Sequence, residues 1–240
     1  MAYAPTSTYG RRASPRLHVL LLALVIALGT AAILSLVDDD GPGSSTVQGS
    51  GTPMTQSRDL PSFSAVDLVG TNGVRVAVGF GQSVTVRADD NLVDHVTTVV
   101  RNGRLTIGDK GSFTASTPMM VNITVPALDR VALTGTGSVL VYGVRANDFA
   151  VEMQGTGSIH AGGGAVRRVD ATLAGDGEIQ LQDLLAHHVV ATVSGTGRLQ
   201  VHAIGRLEAS IPGAGTIVYS GNPTKVTESV TGTGVIVEGG

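Results

Sequence analysis

The stretch ATLAGDGEIQLQDLLAHHVV, residues 171–190, is followed at once by ATVSGTGRLQVHAIGRLEAS, residues 191–210. Both open with the same beat: small, polar, apolar, x, Gly-x-Gly, x, apolar, x, apolar. Gly-x-Gly recurs at 135–137, 155–157, 175–177, 195–197, 213–215 and 232–234. A period near 20 residues is a solenoid signal. Aligned on the first glycine, the position two before it holds Leu133, Met153, Leu173, Val193, Ile211 and Val230. The position four after it holds Val139, Ile159, Ile179, Leu199, Ile217 and Ile236. Both columns are apolar in every rung.

Two further columns are apolar until the last rung. Four residues before the glycine stand Val131, Val151, Ala171, Ala191, Ala209 and then Glu228; six after it stand Val141, Ala161, Leu181, Val201, Tyr219 and then Glu238. The columns between are mostly polar. Alternation with period two on both sides of the glycine pair predicts two short strands per rung, each with one inward face. A third is expected before the next rung, at 148–152, 167–171, 186–191, 206–209 and 224–228. Three strands and three corners in about 20 residues describe a parallel β-helix. Residues 131–240 are therefore expected to form the repeat rungs.

Residues 59–130 lack the glycine pair but keep the alternation, in GVRVAVG (73–79), QSVTVRA (82–88), GRLTIGD (103–109) and MMVNITVPA (119–127). Asn72-Gly73 and Asn102-Gly103 punctuate them as turns. This segment is expected to supply the N-terminal rungs or cap of the same domain, 59–240, since a solenoid end needs covering.

FSAVDLVGTNGVRVAVG at 63–79, VNITVPALDRVALTGTGSV at 121–139 and the repeated GTGS, GDGE and GTGR resemble the bacterial family called auto-transporter adhesin head GIN domain, over about residues 62–237. The resemblance implies an exported right-handed β-helical domain of unassigned function. It carries no catalytic residues over to this chain.

The first 58 residues are of another kind. LHVLLLALVIALGTAAILSLV, residues 17–37, carries no Asp, Glu, Lys or Arg. As a helix it spans roughly 31 Å, against a bilayer core of roughly 30 Å. Arg11, Arg12 and Arg16 precede it, and Asp38, Asp39 and Asp40 follow it. The positive-inside rule then predicts a cytoplasmic tail at 1–16, a single transmembrane helix at 17–37 and an extracytoplasmic C-terminal domain. The rival reading is a cleaved signal peptide, with Thr30-x-Ala32 as a weak cleavage site; the length of the apolar run favours the retained anchor. Residues 38–58, rich in Gly, Ser, Thr and Pro, read as a flexible linker.

Composition narrows the chemistry. Among 240 residues there are 33 Gly, no Cys and no Trp, and aromatics make up 3 %. Absence of Cys removes disulfides, thiolate metal sites and thiol nucleophiles. The net charge of −3 lacks a nucleic-acid footprint. No Gly-x-Gly here has the third glycine of a dinucleotide fingerprint. Asp176 and Glu178 are the one rung's worth of acids in a threonine column, which falls short of a tandem calcium repeat. His160, His187, His188 and His202 fall in different columns, and His187 and His188, as strand neighbours, are expected on opposite faces. Glu178 and Arg198, adjacent in one outward column, are expected to form a surface ion pair of roughly 0–1 kcal/mol.

The sequence therefore predicts no catalytic, cofactor-binding or metal residues and no enzyme. The expected function is a non-enzymatic, adhesin-like binding or structural domain of the bacterial cell envelope, anchored in the cytoplasmic membrane. Its ligand would be an envelope polysaccharide or protein met on an outward sheet of Thr, Ser, Gln, Glu and Arg. The alternative is an accessory or sensor component of envelope-stress signalling, working through a membrane partner; a cell-wall glycan hydrolase or lyase is the weakest reading. The sequence ends just after the strand VIVE (235–238), and Glu228 and Glu238 place charges in inward columns of that rung, so a monomeric ectodomain is expected.

Overall fold

The computed structural model describes residues 46–239. The expected cytoplasmic tail, the membrane span at 17–37 and residues 38–45 of the linker lie outside the described residues. Among the described residues no helix is long and apolar enough to cross a membrane. The chain there is all-β, a β-solenoid of about five turns.

Rungs stack in parallel with the register that the glycine columns predict. Val131 lies beside Val151, Val151 beside Ala171, Ala171 beside Ala191, and Ala191 beside Ala209. The inward columns form one continuous apolar core. Leu173, Ile159, Ile179, Leu199 and Ile217 are wholly enclosed. Val, Ile and Leu suit this arrangement, because a branched side chain packs against the same column of the rungs above and below.

The third strand of each rung is not separate. Arg145–Gly155 runs unbroken, and Glu178–Val193 and Arg198–Ile211 are longer still. The corner shows in burial instead. Between the inward Ala146 and Phe149, both Asn147 and Asp148 face out; Arg167 and Arg168 do the same between Val166 and Val169. Two outward residues in succession shift the alternation by one and turn the chain; the ladder resumes beyond them, with a one-residue register shift between Ala186 and His188. His187 and His188 occupy that corner in the next rung, between buried Ala186 and Val189. They therefore lie on the same outer side, not on opposite faces.

The N-terminal segment stacks out of chain order. Ala65–Gly70 and Gly73–Val78 form a rung on which Arg130–Gly135 and Ser138–Tyr142 sit directly, with Gly70 beside Gly135. The chain then adds Arg104–Asp109 and Met120–Val125 on the other side of that same rung, again in parallel. Antiparallel strands close the stack beyond: Val96–Arg101 on Arg104–Asp109, Ser83–Asp89 on Met120–Val125, and Pro53–Arg58 on Ser83–Asp89. The tight turn between Arg101 and Arg104 uses Asn102 at φ 51° and Gly103 at φ 73°, the paired positive φ values of a hairpin turn.

Pro53–Arg58 corrects the expected linker, as does the short strand Val47–Gln48, which pairs with Phe113–Thr114. The segment 47–58 is part of the cap. Its polar composition hid this because an outermost strand has little core face to bury, and its residues are mostly exposed. At the other end, Lys225–Val230 is exposed along its whole length. Glu228 lies beside Ala209 and Glu238 beside Tyr219, in the inward columns the repeat assigns them.

Candidate functional site: a polar trough along the glycine corner

The glycine pairs line up into a trough. A Cβ on Gly155 would strike the carbonyl oxygen of Gly135, and one on Gly177 that of Gly157. The two glycine positions of each corner therefore have no room for a side chain, and there the rungs close on each other through backbone alone. The Gly135 carbonyl accepts N–H groups from Thr156 at 3.1 Å and Gly157 at 3.2 Å; the Gly155 carbonyl accepts from Asp176 at 3.0 Å and Gly177 at 3.1 Å. With these bonds made, the corner's recognition chemistry rests with the side chains on either side of it.

Those side chains form two ladders. Thr71, Thr136, Thr156, Asp176 and Thr196 make one wall; Ser138, Ser158, Glu178, Arg198 and Thr216 make the other, with Gly137, Gly157, Gly177 and Gly197 between them. The open space is about 600 Å³. Rungs repeat at about 4.8 Å, so polar side chains, hydroxyls in most rungs and Asp176, Glu178 and Arg198 in the others, recur at that interval along the axis. The Thr196 hydroxyl donates to Asp176, and Gln200 Nε2 donates to Glu178 at 2.8 Å. Glu178 and Arg198 are register partners, as expected, yet they form no ion pair within 4.0 Å; Glu178 is engaged by Gln200 instead.

The remaining sequence candidates stay apart. His160 meets Gln180 at 3.1 Å, His202 meets Ser220 at 3.1 Å, and His188 bridges Arg168 at 3.2 Å and Glu208 at 3.1 Å. Among the described residues no group of three or more His, Cys, Asp or Glu could hold a metal ion.

Two polar clusters went unnoticed in the sequence. Asp67, buried in the rung that later segments flank on both sides, reaches Arg104 at 2.9 Å and Arg130 Nε at 3.7 Å; Arg130 in turn donates to both carboxylate oxygens of Glu152 through its two terminal guanidinium nitrogens. Burial pushes the Asp67 carboxyl above its ordinary 3.8, against the pull of the two arginines. Asp89, enclosed in the cap, accepts backbone N–H groups from Ser116 at 2.8 Å, Gly51 at 3.1 Å and Thr117 at 3.2 Å. Burial alone would raise its carboxyl, but these donors, led by Ser116 and Thr117, hold it below 3.8. A signal for the first cluster was available: Leu68-Val69-Gly70-Thr71 repeats the pattern of Leu133-Thr134-Gly135-Thr136, which places Asp67 in a known column. Nothing local marked Asp89.

Solved structures share the architecture. A crystal structure described as a "putative adhesin" from Bacteroides fragilis superposes with a TM-score of 0.64 at 22 % identity, covering 80 % of this chain and 99 % of that one. One described as a "putative lipid binding protein" from Parabacteroides distasonis gives 0.53 at 22 % identity, covering 82 % and 100 %. A "putative adhesin" from the same species gives 0.52 at 21 %, covering 81 % and 100 %. At these identities the likeness is one of fold. A search of curated proteins finds no match. The profile described as "Putative auto-transporter adhesin, head GIN domain" matches residues 62–223, most of the solenoid and its cap, and the chain belongs to that family.

Proposed function

We propose that this chain is a non-enzymatic, adhesin-like binding domain of the bacterial cell envelope, held at the cytoplasmic membrane by the apolar run at 17–37, with its N-terminus inside. The coil is read as right-handed, as parallel crossovers within one sheet are. The observation that carries the reading is the trough: two ladders of polar side chains repeating at the rung spacing on either side of an open cleft. Such a surface suits an elongated hydroxyl-rich polymer lying along the axis. Each rung would give one or two hydrogen bonds of modest strength, and the sum over rungs gives the affinity. An envelope polysaccharide is the ligand class that fits, and family membership in an adhesin-head group accords with it.

The experiment is retention of the detergent-solubilised full chain on purified peptidoglycan sacculi, with Ser158→Trp as the comparison. Ser158 is outward and exposed, so an indole there fills the trough without touching the core. Retention of the wild type and its loss in the variant support the reading. Equal retention of both, or none of either, overturns it.

A further inference from the structure

Phe80 stands out among the aromatic residues. Of the four phenylalanines, Phe63 and Phe149 are buried and Phe113 packs against the core, while Phe80 is fully exposed. It sits on the arch 79–82, which carries the chain from one side of Met120–Val125 to the other. The arch is tied to the fold at both ends. Gly79 N–H donates to the Val125 carbonyl at 2.9 Å, and Gly81 takes φ 79°. The Gln82 side chain donates to the carbonyls of Leu60 at 3.0 Å and Pro61 at 3.1 Å, and accepts from Phe63 N–H at 3.3 Å. An aromatic ring presented to water on an arch bonded at both ends suits binding, because less ordering entropy is lost when it meets a partner than on a free loop.

Its place in the fold names the partner. Phe80, Met54 and Val99 are exposed apolar side chains, and all three lie at the capped end; Met54 and Val99 sit on its outermost strands, Pro53–Arg58 and Val96–Arg101. The chain also enters the fold at that end, through Val47–Gln48. Residues 38–46, nine in number, separate the apolar run from this strand, a reach of at most roughly 30 Å. The acidic excess does not oppose contact there. Residues 46–129 hold six basic side chains (Arg58, Arg75, Arg87, Arg101, Arg104, Lys110) against seven acids, two of which, Asp67 and Asp89, are buried.

We infer that the capped end rests against the lipid bilayer, with Phe80 inserted at the interface as an aromatic anchor. The partner is the headgroup–acyl boundary, into which interfacial segments bury Phe, Trp and Leu side chains. The trough's ladders then run away from the membrane, and the rung at 225–238 is the distal one. This inference rests on the anchoring reading above.

The chain has no tryptophan, so Phe80→Trp introduces a single fluorophore at an exposed site that leaves the core untouched. The full-length variant is reconstituted into phosphatidylcholine vesicles, floated on a density gradient, and its emission recorded with and without brominated acyl chains. A matched variant, Val230→Trp, places the fluorophore in the far rung. Co-flotation with a blue-shifted Phe80→Trp emission that brominated lipid quenches, while Val230→Trp keeps a water-like emission, is the expected result. Co-flotation with a water-like Phe80→Trp emission overturns the inference but leaves the anchor standing. Equal quenching of both variants overturns the end-on contact. Failure to float removes the anchoring reading and this contact together.

Discussion

The coil from residue 130 onward and the cap before it solve the same problem by different means. The coil repeats. Inward columns stay apolar until the last rung, one corner of every rung is a glycine pair, and a register error in one rung would be felt in all. The cap does not repeat. All three buried polar residues of the described chain, Asp67, Asn72 and Asp89, lie in it. Its rungs stack out of chain order, and antiparallel strands end the ladder. A repeat is specified by columns, many weak constraints that agree. A terminus has no neighbour to agree with on one side, so single polar groups fix it: Asn72 Nδ2 donates to Asp109 at 2.6 Å, and Asp89 gathers the backbone of two distant loops.

Four substitutions would break or sharpen that contrast. Leu173→Ala empties a fully enclosed position in the coil and is expected to cost about 2–5 kcal/mol by denaturant unfolding. Gly155→Ala puts a Cβ against the Gly135 carbonyl at a φ of 130° and is expected to cost about 1–3 kcal/mol in the same assay. Asp89→Asn acts on the cap. Because the folded carboxyl lies below 3.8, its contribution is fully present above that value and fades as pH falls through the folded one. The variant should be less stable at neutral pH and show a flatter loss of stability in acid. Asp67 has the opposite sign: its raised carboxyl gains a proton more readily folded than unfolded, so acidification relieves it. Arg198→Ala is the smallest change. Without an ion pair to Glu178, it should leave stability within about 0.5 kcal/mol of wild type.

The coil was legible because its signal is redundant. Leu173 and Ile179 could be assigned inward from their columns alone, and both are enclosed. What failed were inferences from neighbours in sequence or register. His187 and His188 were separated by strand alternation, which the two-residue corner suspends. Glu178 and Arg198 were paired by adjacency, but Gln200 competes for the carboxylate. Residues 47–58 looked like a tether because a strand at the end of a stack needs no apolar face. The trough was half legible: its threonine and serine columns could be listed, but the cleft between them exists only because the corner glycines exclude every side chain.

The central claim is the parallel stacking of rungs in register, and the absence of cysteine makes it directly testable. Thr172 and Thr192 are register partners on adjacent rungs. Strands lie about 4.8 Å apart, within the roughly 4.4–6.8 Å that a disulfide spans between Cα atoms. The measurement is intramolecular disulfide formation in the double variant Thr172→Cys/Thr192→Cys, compared with Thr172→Cys/Ser194→Cys, which is two residues out of register. The account predicts ready oxidation of the first pair and little of the second. Preferential cross-linking of the out-of-register pair would contradict it.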